Sequence, residues 1–207
     1  MALIVRELME ALVLALIVLF VIQISVQNYR VDGHSMEPTL EDAQFLMVNK
    51  LSYLRMDLDR LDNLVPFWDS PSGTASYTPF AGSPERGDVI VFQRAGGSDM
   101  SFVKRVIGLP GERVEIREGH VFIDGEELEE PYLDRSDRVG DMLCIPHTSN
   151  CRVGEDEYFV LGDNRTDSQD SRSWGSIRED DIAGEVWFTY WPLCDAPHMD
   201  TLFDACE

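Results

Sequence analysis

The sequence predicts a mainly β domain with barrel-like antiparallel sheets, hung on one N-terminal transmembrane helix. Three observations point there. Ala11 to Ile22 is an unbroken apolar run. From Gly87 onward, short segments rich in β-branched and aromatic residues alternate with turn signals. The chain carries no internal repeat and no Gly-rich phosphate loop that would suggest an α/β alternative.

Leu3, Ile4, Val5, Leu8 and Met9 extend the apolar run upstream, and it continues through Gln23 and Ser25 to Val26. A membrane span needs roughly 20 residues. Arg6, Glu7 and Glu10 near one end make the apolar core short. A cleaved leader is disfavoured because no small-x-small site precedes the polar body. A buried soluble helix is disfavoured because no polar stripe runs along it. The chain therefore divides into an anchor over 1–28 and a body over 29–207. Arg6 before the run and Arg30 after it barely decide its orientation.

Phe45 to Val48 reads as a short strand. Leu51, Leu54, Leu58 and Leu61 then recur at helical steps, predicting an amphipathic helix that ends before Pro66. Residues 69–84 are rich in Ser, Pro, Gly and Thr and read as a surface loop. Phe67, Trp68, Tyr77 and Phe80 flank or interrupt it, and such aromatics would suit a membrane interface. Strands are predicted over Asp88–Phe92, Phe102–Ile107, Arg113–Arg117, His120–Ile123, Tyr158–Leu161 and Glu185–Trp191. Leu109-Pro110-Gly111 and Asp124-Gly125 mark turns, the second fitting a hairpin. The tail from Pro192 is short and irregular.

With 207 residues the body can bury a real core. The net charge of -21 excludes a nucleic-acid partner, which needs a basic face. It also removes electrostatic attraction between the body and anionic lipid. Cys144, Cys151, Cys194 and Cys206 form no Cys-x-x-Cys pair, so a zinc ribbon is not indicated. Cys144 and Cys151 bracket a short loop, and a local bridge between them is the simplest pairing. Cys194 and Cys206 would then pair in the tail, given an oxidising compartment. Four free thiols are the alternative.

The chemistry gathers around Gly33-His34-Ser35-Met36-Glu37-Pro38-Thr39-Leu40. Gly33 opens backbone angles closed to other residues, and Pro38 fixes its own φ and turns Glu37 away from helix. Ser35 thus sits on stiff, irregular backbone, as a nucleophile must. By itself this is also the pattern of an ordinary turn serine. A serine hydroxyl needs a base. His34 adjoins Ser35 and points the other way in an extended chain. His120, His147 and His198 lie in segments without a triad signature. Phe102-Val103 and Val106-Ile107 flank Lys104-Arg105, so alternation puts one of these two cations on the buried face. Burial favours the neutral amine. The competing reading of Lys104 is an edge-strand lysine that guards against aggregation. Asp163, Asp167 and Asp170 do not form a calcium loop, because the spacing, the Gly and the distal Glu are wrong.

Ser-Met-x-Pro-Thr-Leu after an apolar segment resembles the nucleophile box of type I signal peptidases, membrane-bound serine proteases that remove signal peptides. Arg86-Gly87-Asp88-Val89-Ile90-Val91-Phe92 is similar to that family's first strand box. Phe102-Val103-Lys104-Arg105-Val106-Ile107-Gly108-Leu109-Pro110-Gly111 is similar to its general-base box. Gly162-Asp163-Asn164-Arg165, Ser168, Asp170-Ser171-Arg172 and Trp174-Gly175 are similar to its last box. The resemblance runs from the anchor to about Phe188. It implies Ser35 as nucleophile and Lys104 as general base. It assigns Ser168 to orient the Lys104 amine, Asp170 and Arg172 to a structural pair, and Asp163 to anchor Arg105 or a neighbouring strand. It implies cleavage after small-x-small sites of exported preproteins, with Met36, Leu40, Val31, Phe102 and Val103 as candidate pocket residues. No cofactor or metal is implied. The implied partners are preprotein signal peptides, the lipid bilayer and the export machinery. The N-terminus would be cytoplasmic and the body extracytoplasmic, at the cell membrane.

Two departures stand out. Minimal members pass more directly from Lys-Leu-Ser-Tyr to Arg-Gly-Asp, whereas this chain carries an insertion at about 52–84. Some members place a hydroxyl two residues before the nucleophile, where this chain has Gly33. The rival readings are a self-cleaving repressor-type Ser-Lys protease and an inactive membrane-tethered β binding module. The first lacks its DNA-binding domain here, and intact Ser35, Lys104 and Ser168 argue against the second.

Overall fold

The computed structural model describes residues 2–53, 82–94, 100–133, 141–145 and 151–191. The predicted helix at Leu51–Leu61, nearly all of the 52–84 insertion and the Cys194–Cys206 pair lie outside the described residues. The chain opens with α1 (Ala2–Ser25). Ten strands follow: β1 (Val26–Arg30), β2 (Phe45–Asn49), β3 (Val89–Gln93), β4 (Ser101–Gly108), β5 (Val114–Arg117), β6 (His120–Ile123), β7 (Glu126–Glu127), β8 (Glu157–Leu161), β9 (Ile177–Arg178) and β10 (Ile182–Trp191). A one-turn helix α2 (Ser171–Trp174) lies between β8 and β9.

Seven strands form one antiparallel sheet in the order β1-β2-β10-β3-β4-β8-β9, and β5-β6-β7 form a second. Pairing leaves β1 and β9 as edges, so the large sheet curls without closing into a barrel. Register shifts in β10 and β4 supply the curl, since each extra residue bends its strand. The small sheet is a meander with two-residue loops, Glu118-Gly119 and Asp124-Gly125. All four loop residues have positive φ, as the tight hairpin turn of this twist requires. The first of these loops carries no conspicuous turn dipeptide, and the sequence reading passed over it.

The sequence reading carried the helix to Val26. The structure ends it at Ser25, whose hydroxyl donates to the Val21 carbonyl. Val26–Arg30 instead pairs with β2 as an edge strand. Val-Gln-Asn-Tyr-Arg has one buried-type side chain in two and a single partner strand, too weak a pattern to announce itself. Among the described residues no helix is long and apolar enough to cross a membrane. The large apolar side chains of α1 from Leu8 to Ile22 nevertheless stand exposed.

Three apolar clusters make the core. Val31, Met36, Leu40, Leu46, Val48 and Val91 pack beneath the Gly33–Leu40 segment. Ile90, Phe92, Val106, Tyr158, Val160 and Ile177 fill the centre of the large sheet. Ile107, Val114, Ile116, Val121, Ile145 and Phe159 join the two sheets. Cys144 and Cys151 are bridged. The bridge lies between two isolated pairings, Ile116 with Met142 and Arg113 with Arg152, which hold the 141–153 excursion against β5 and its approach.

Closing so short a loop restricts the unfolded chain by ~2 kcal/mol at the low end of the usual range. Replacing both Cys144 and Cys151 with Ala should lower stability by about that much in denaturant titration, with the β signature of circular dichroism retained. Peptide mapping of the non-reduced protein should recover the two cysteines linked.

Candidate active site

Ser35 sits in a turn segment between β1 and β2 that is irregular because its ends are pinned. Gly33 has φ of +103° and donates its N–H to Asp42 Oδ1 at 2.8 Å. Leu40 N–H returns to the Met36 carbonyl, and the Glu37–Pro38 bond is cis. Met36 is fully buried and Leu40 nearly so, which anchors the segment on the core. A second segment braces it: Asn164 N–H donates to the Ser35 carbonyl at 3.1 Å, and Asn164 Nδ2 donates to the His34 carbonyl at 3.1 Å.

Lys104 lies on β4, which pairs with β3 on one side and β8 on the other. Its Nζ donates to Ser35 Oγ at 2.6 Å and to the Val103 carbonyl at 2.8 Å. The side chain is 3% exposed. Burial lowers its pKa from 10.5 to about 8, against the opposing pull of Asp170 and Asp163. Once neutral, the amine can keep a donated bond to Val103 and turn its lone pair to the Ser35 hydroxyl. The histidine alternative has no geometry to support it in the described residues. The His34 ring meets Glu37, which raises its pKa, and the His120 ring meets Glu127. His147 and His198 lie outside the described residues.

Alternation led us to expect one buried cation of the Lys104–Arg105 pair. Both are buried. The reason is that β4 is not an edge strand, and Arg105 can be buried because it meets the buried carboxylate of Asp163. Its Nε and Nη2 donate to the two oxygens of Asp163 at 2.9 and 2.6 Å, and Nη1 donates to the Gly87 carbonyl at 2.8 Å. Thr39 Oγ1 donates to the same Asp163. Asp170 accepts from Arg172 Nε and Nη2 at 2.8 and 2.7 Å, and from the Gly162 N–H at 3.1 Å. Sequence reasoning missed the next ring of partners. The Arg105 guanidinium lies 4.0 Å over the Tyr132 ring, and Glu130 forms a buried ion pair with Arg165. Glu130 and Tyr132 lie in no recognisable motif, so nothing in the sequence singled them out.

Ser168 was expected to hydrogen-bond the Lys104 amine. In the structure its hydroxyl lies over Gly162, beside the Ser35 carbonyl, and finds no partner among the described residues. The five candidate pocket residues divide. Val31, Phe102 and Val103 line a cleft of about 220 Å³ together with Ser35 and Lys104. Met36 and Leu40 do not line it; they pack in the core below, because the turn directs them inward. Tyr29, Arg30, Asp32 and Ser101 complete the rim. Among the described residues no group of three or more His, Cys, Asp or Glu side chains is placed to hold a metal ion.

Residues 5–191 match the family model described as signal peptidase, peptidase S26. The chain belongs to this signal peptidase family. Signal peptidase IB of Staphylococcus aureus (strain Mu50) is 31% identical over 208 residues, covering 93% of this chain and 94% of that protein. Signal peptidase I P of Bacillus subtilis subsp. natto is 36% identical over 191 residues, covering 89% and 87%. A crystal structure of a signal peptidase I from Enterococcus faecalis V583 aligns with a TM-score of 0.44 and 34% identity, covering 50% of this chain and 97% of that one. In this family member Ser35, Val91 and Lys104, from three motif segments, meet at one cleft, and the fourth segment braces Ser35 through Asn164.

Two outcomes test the site's packing. A Cβ on Gly162 would collide with the Ser168 hydroxyl and the Ser35 carbonyl. Gly162→Ala should therefore lower peptidase activity at least tenfold by displacing Ser35, with a stability loss of about 1–3 kcal/mol for an overpacked site. Lys104 gives the second. Because its folded pKa lies below the unfolded value, the folded state releases a proton that the unfolded chain keeps between pH about 8 and 10.5. Stability rises with pH through that window and carries the cost of a buried ammonium below it. Lys104→Met should raise the denaturation midpoint at pH 7, by an amount up to about 3 kcal/mol, and should flatten the rise above pH 8.

Proposed function

We propose that this chain is a membrane-anchored serine endopeptidase that removes N-terminal signal peptides from exported preproteins, with Ser35 as nucleophile and Lys104 as general base. The observation that carries the proposal is the buried Lys104 amine, 2.6 Å from the Ser35 hydroxyl and with its pKa lowered to about 8. The relatives named signal peptidase supply the substrate class.

The neutral amine takes the Ser35 proton as Oγ attacks the scissile carbonyl carbon. The Ser35 backbone N–H is the donor offered to the developing oxyanion. The resulting ammonium returns its proton to the departing amine, leaving an acyl ester on Ser35. A water then attacks the ester, again giving its proton to Lys104, and Ser35 is restored. Gly33 offers no side-chain donor to the oxyanion. Space is open around it, but its φ of +103° makes any replacement strained. The Gly33→Ser exchange that open space alone would invite is opposed by the backbone.

The exposed apolar flank of α1 supports an anchoring role, since no charge interrupts it from Ala11 to Ser25. The Cys144–Cys151 bridge supports an oxidising, extracytoplasmic location for the body. An extended substrate with small residues at alternate positions would lie along the edge of β1 opposite β4, using main-chain bonds.

Cleavage of a precursor with an Ala-x-Ala site tests this directly. Wild-type protein should release the signal peptide, and Ser35→Ala and Lys104→Ala should each lose essentially all turnover while keeping the fold. The rate should rise with pH and level off above about 8. At pH 6 about one molecule in a hundred holds the neutral amine, so the rate there should be lower by that order. Full activity in either variant, or an ascending limb near the histidine value of about 6.5, would overturn the assignment.

A further inference from the structure

A second, larger cavity of about 630 Å³ adjoins the catalytic cleft. Tyr29 lines both, and Gln93 and Ser101, opposite each other on paired strands, line one each. The Tyr29 hydroxyl meets Ser101 of β4, so Tyr29 stands on the boundary between the two cavities. Following β1 backwards from the cleft, Val31 faces the catalytic side and Gln27 faces the larger cavity. The far end of that cavity reaches Lys50, whose N–H donates to the carbonyl of Ser25, the last residue of α1. The larger cavity therefore occupies the path between the end of α1 and Ser35.

We infer that this cavity is a binding subsite for the substrate segment immediately upstream of the small-x-small residues, entered past Tyr29 and selective for polar or basic side chains. The inference rests on the signal-peptidase reading. A signal peptide whose apolar part lies beside α1 must cross this same interval to reach Ser35. The interval fits such a segment: Val31 lies four positions after Gln27, and an extended chain covers ~13 Å over that distance. The relevant substrate positions are thus about four to six residues before the scissile bond. The wall has the chemistry of a polar chain. Gln27, Tyr53, Gln93 and Lys50 offer hydrogen bonds, and Glu179, Asp180 and Asp181, in the turn just before β10, outnumber Lys50 and set a negative balance. Tyr53 is itself held by Asp88 at 2.6 Å, which keeps its ring a fixed wall. Tyr29 works as a positioning residue between the two cavities, because its ring bounds the small pocket while its hydroxyl reaches across to Ser101.

Two peptide substrates sharing one Ala-x-Ala site test the inference. The short one begins three residues before the scissile bond, and the long one adds six polar residues upstream. Wild-type protein should cleave the long peptide with kcat/KM at least tenfold higher, mostly through KM. Gln27→Trp, which places a ring in the cavity from an exposed edge position, should bring the long-to-short ratio close to one. In the long peptide, Lys at the fifth upstream position should be preferred severalfold over Glu, and Asp181→Lys should reverse that preference. Equal cleavage of both peptides by wild type, or a ratio unmoved by Gln27→Trp, would overturn the subsite and leave the peptidase reading standing. An unchanged preference in Asp181→Lys would overturn the assigned charge selectivity. Cleavage of neither peptide would instead overturn the peptidase reading, and the subsite with it.

Discussion

The Arg105–Asp163 ion pair is the constraint on which the rest of the site depends. It is bidentate and buried, with Asp163 fully inaccessible. Losing one partner of such a pair strands a charge away from water, at about 3–5 kcal/mol. Its value here is mainly positional. Arg105 belongs to the strand that carries Lys104. Asp163 belongs to the segment that braces the Ser35 carbonyl through Asn164. Thr39, at the end of the nucleophile segment, donates to the same carboxylate. One buried salt bridge therefore sets the register among three stretches of chain that are distant in sequence.

The same crowding makes the chemistry. Lys104 is the neighbour of a fully compensated cation, yet no carboxylate bonds to it. Asp163 is committed to Arg105 and Thr39, and Asp170 to Arg172 and the Gly162 N–H. Both carboxylates still raise the pKa of Lys104 at a distance, but burial outweighs them. With these two acids paired elsewhere, burial can hold the Lys104 pKa down in a chain of such negative net charge. The Glu130–Arg165 pair and the Tyr132 ring over Arg105 close this network from the side of the small sheet. That gives the segment after the meander, 128–133, a role in holding the site.

The accessible surface tells a complementary story. The cleft beside Ser35 is small, its floor set by buried Val31, Leu46 and Val91. Met36 and Leu40 pack in the same apolar cluster as these floor residues. The apolar exposure of α1 stands at the opposite end of β1, and only nine residues, 26–34, lie between α1 and Ser35. Ser35 and the apolar helix are therefore tied closely together.

The sequence by itself determined the β character of the body and most strand positions, made the Cys144–Cys151 bridge the simplest pairing, and pointed to Ser35 and Lys104 through the motif boxes. These rest on local signals: alternation, turn residues, cysteine spacing and motif boxes. Strand β1 was not legible, because an edge strand with one partner needs little hydrophobic alternation. The burial of both Lys104 and Arg105 was not legible either. Alternation says that neighbouring side chains point to opposite faces, but only the folded structure gives each cation a buried partner, Ser35 for Lys104 and Asp163 for Arg105. Likewise Met36 and Leu40 read as apolar residues near a nucleophile, and only the turn geometry sends them into the core and leaves Val31, Phe102 and Val103 on the cleft. The Glu130–Arg165 pair, the ring of Tyr132 and the position of Tyr29 between two cavities belong to tertiary structure alone. They join residues whose separation in sequence carries no periodic or motif signal, and burial creates their partnerships only after the chain has folded.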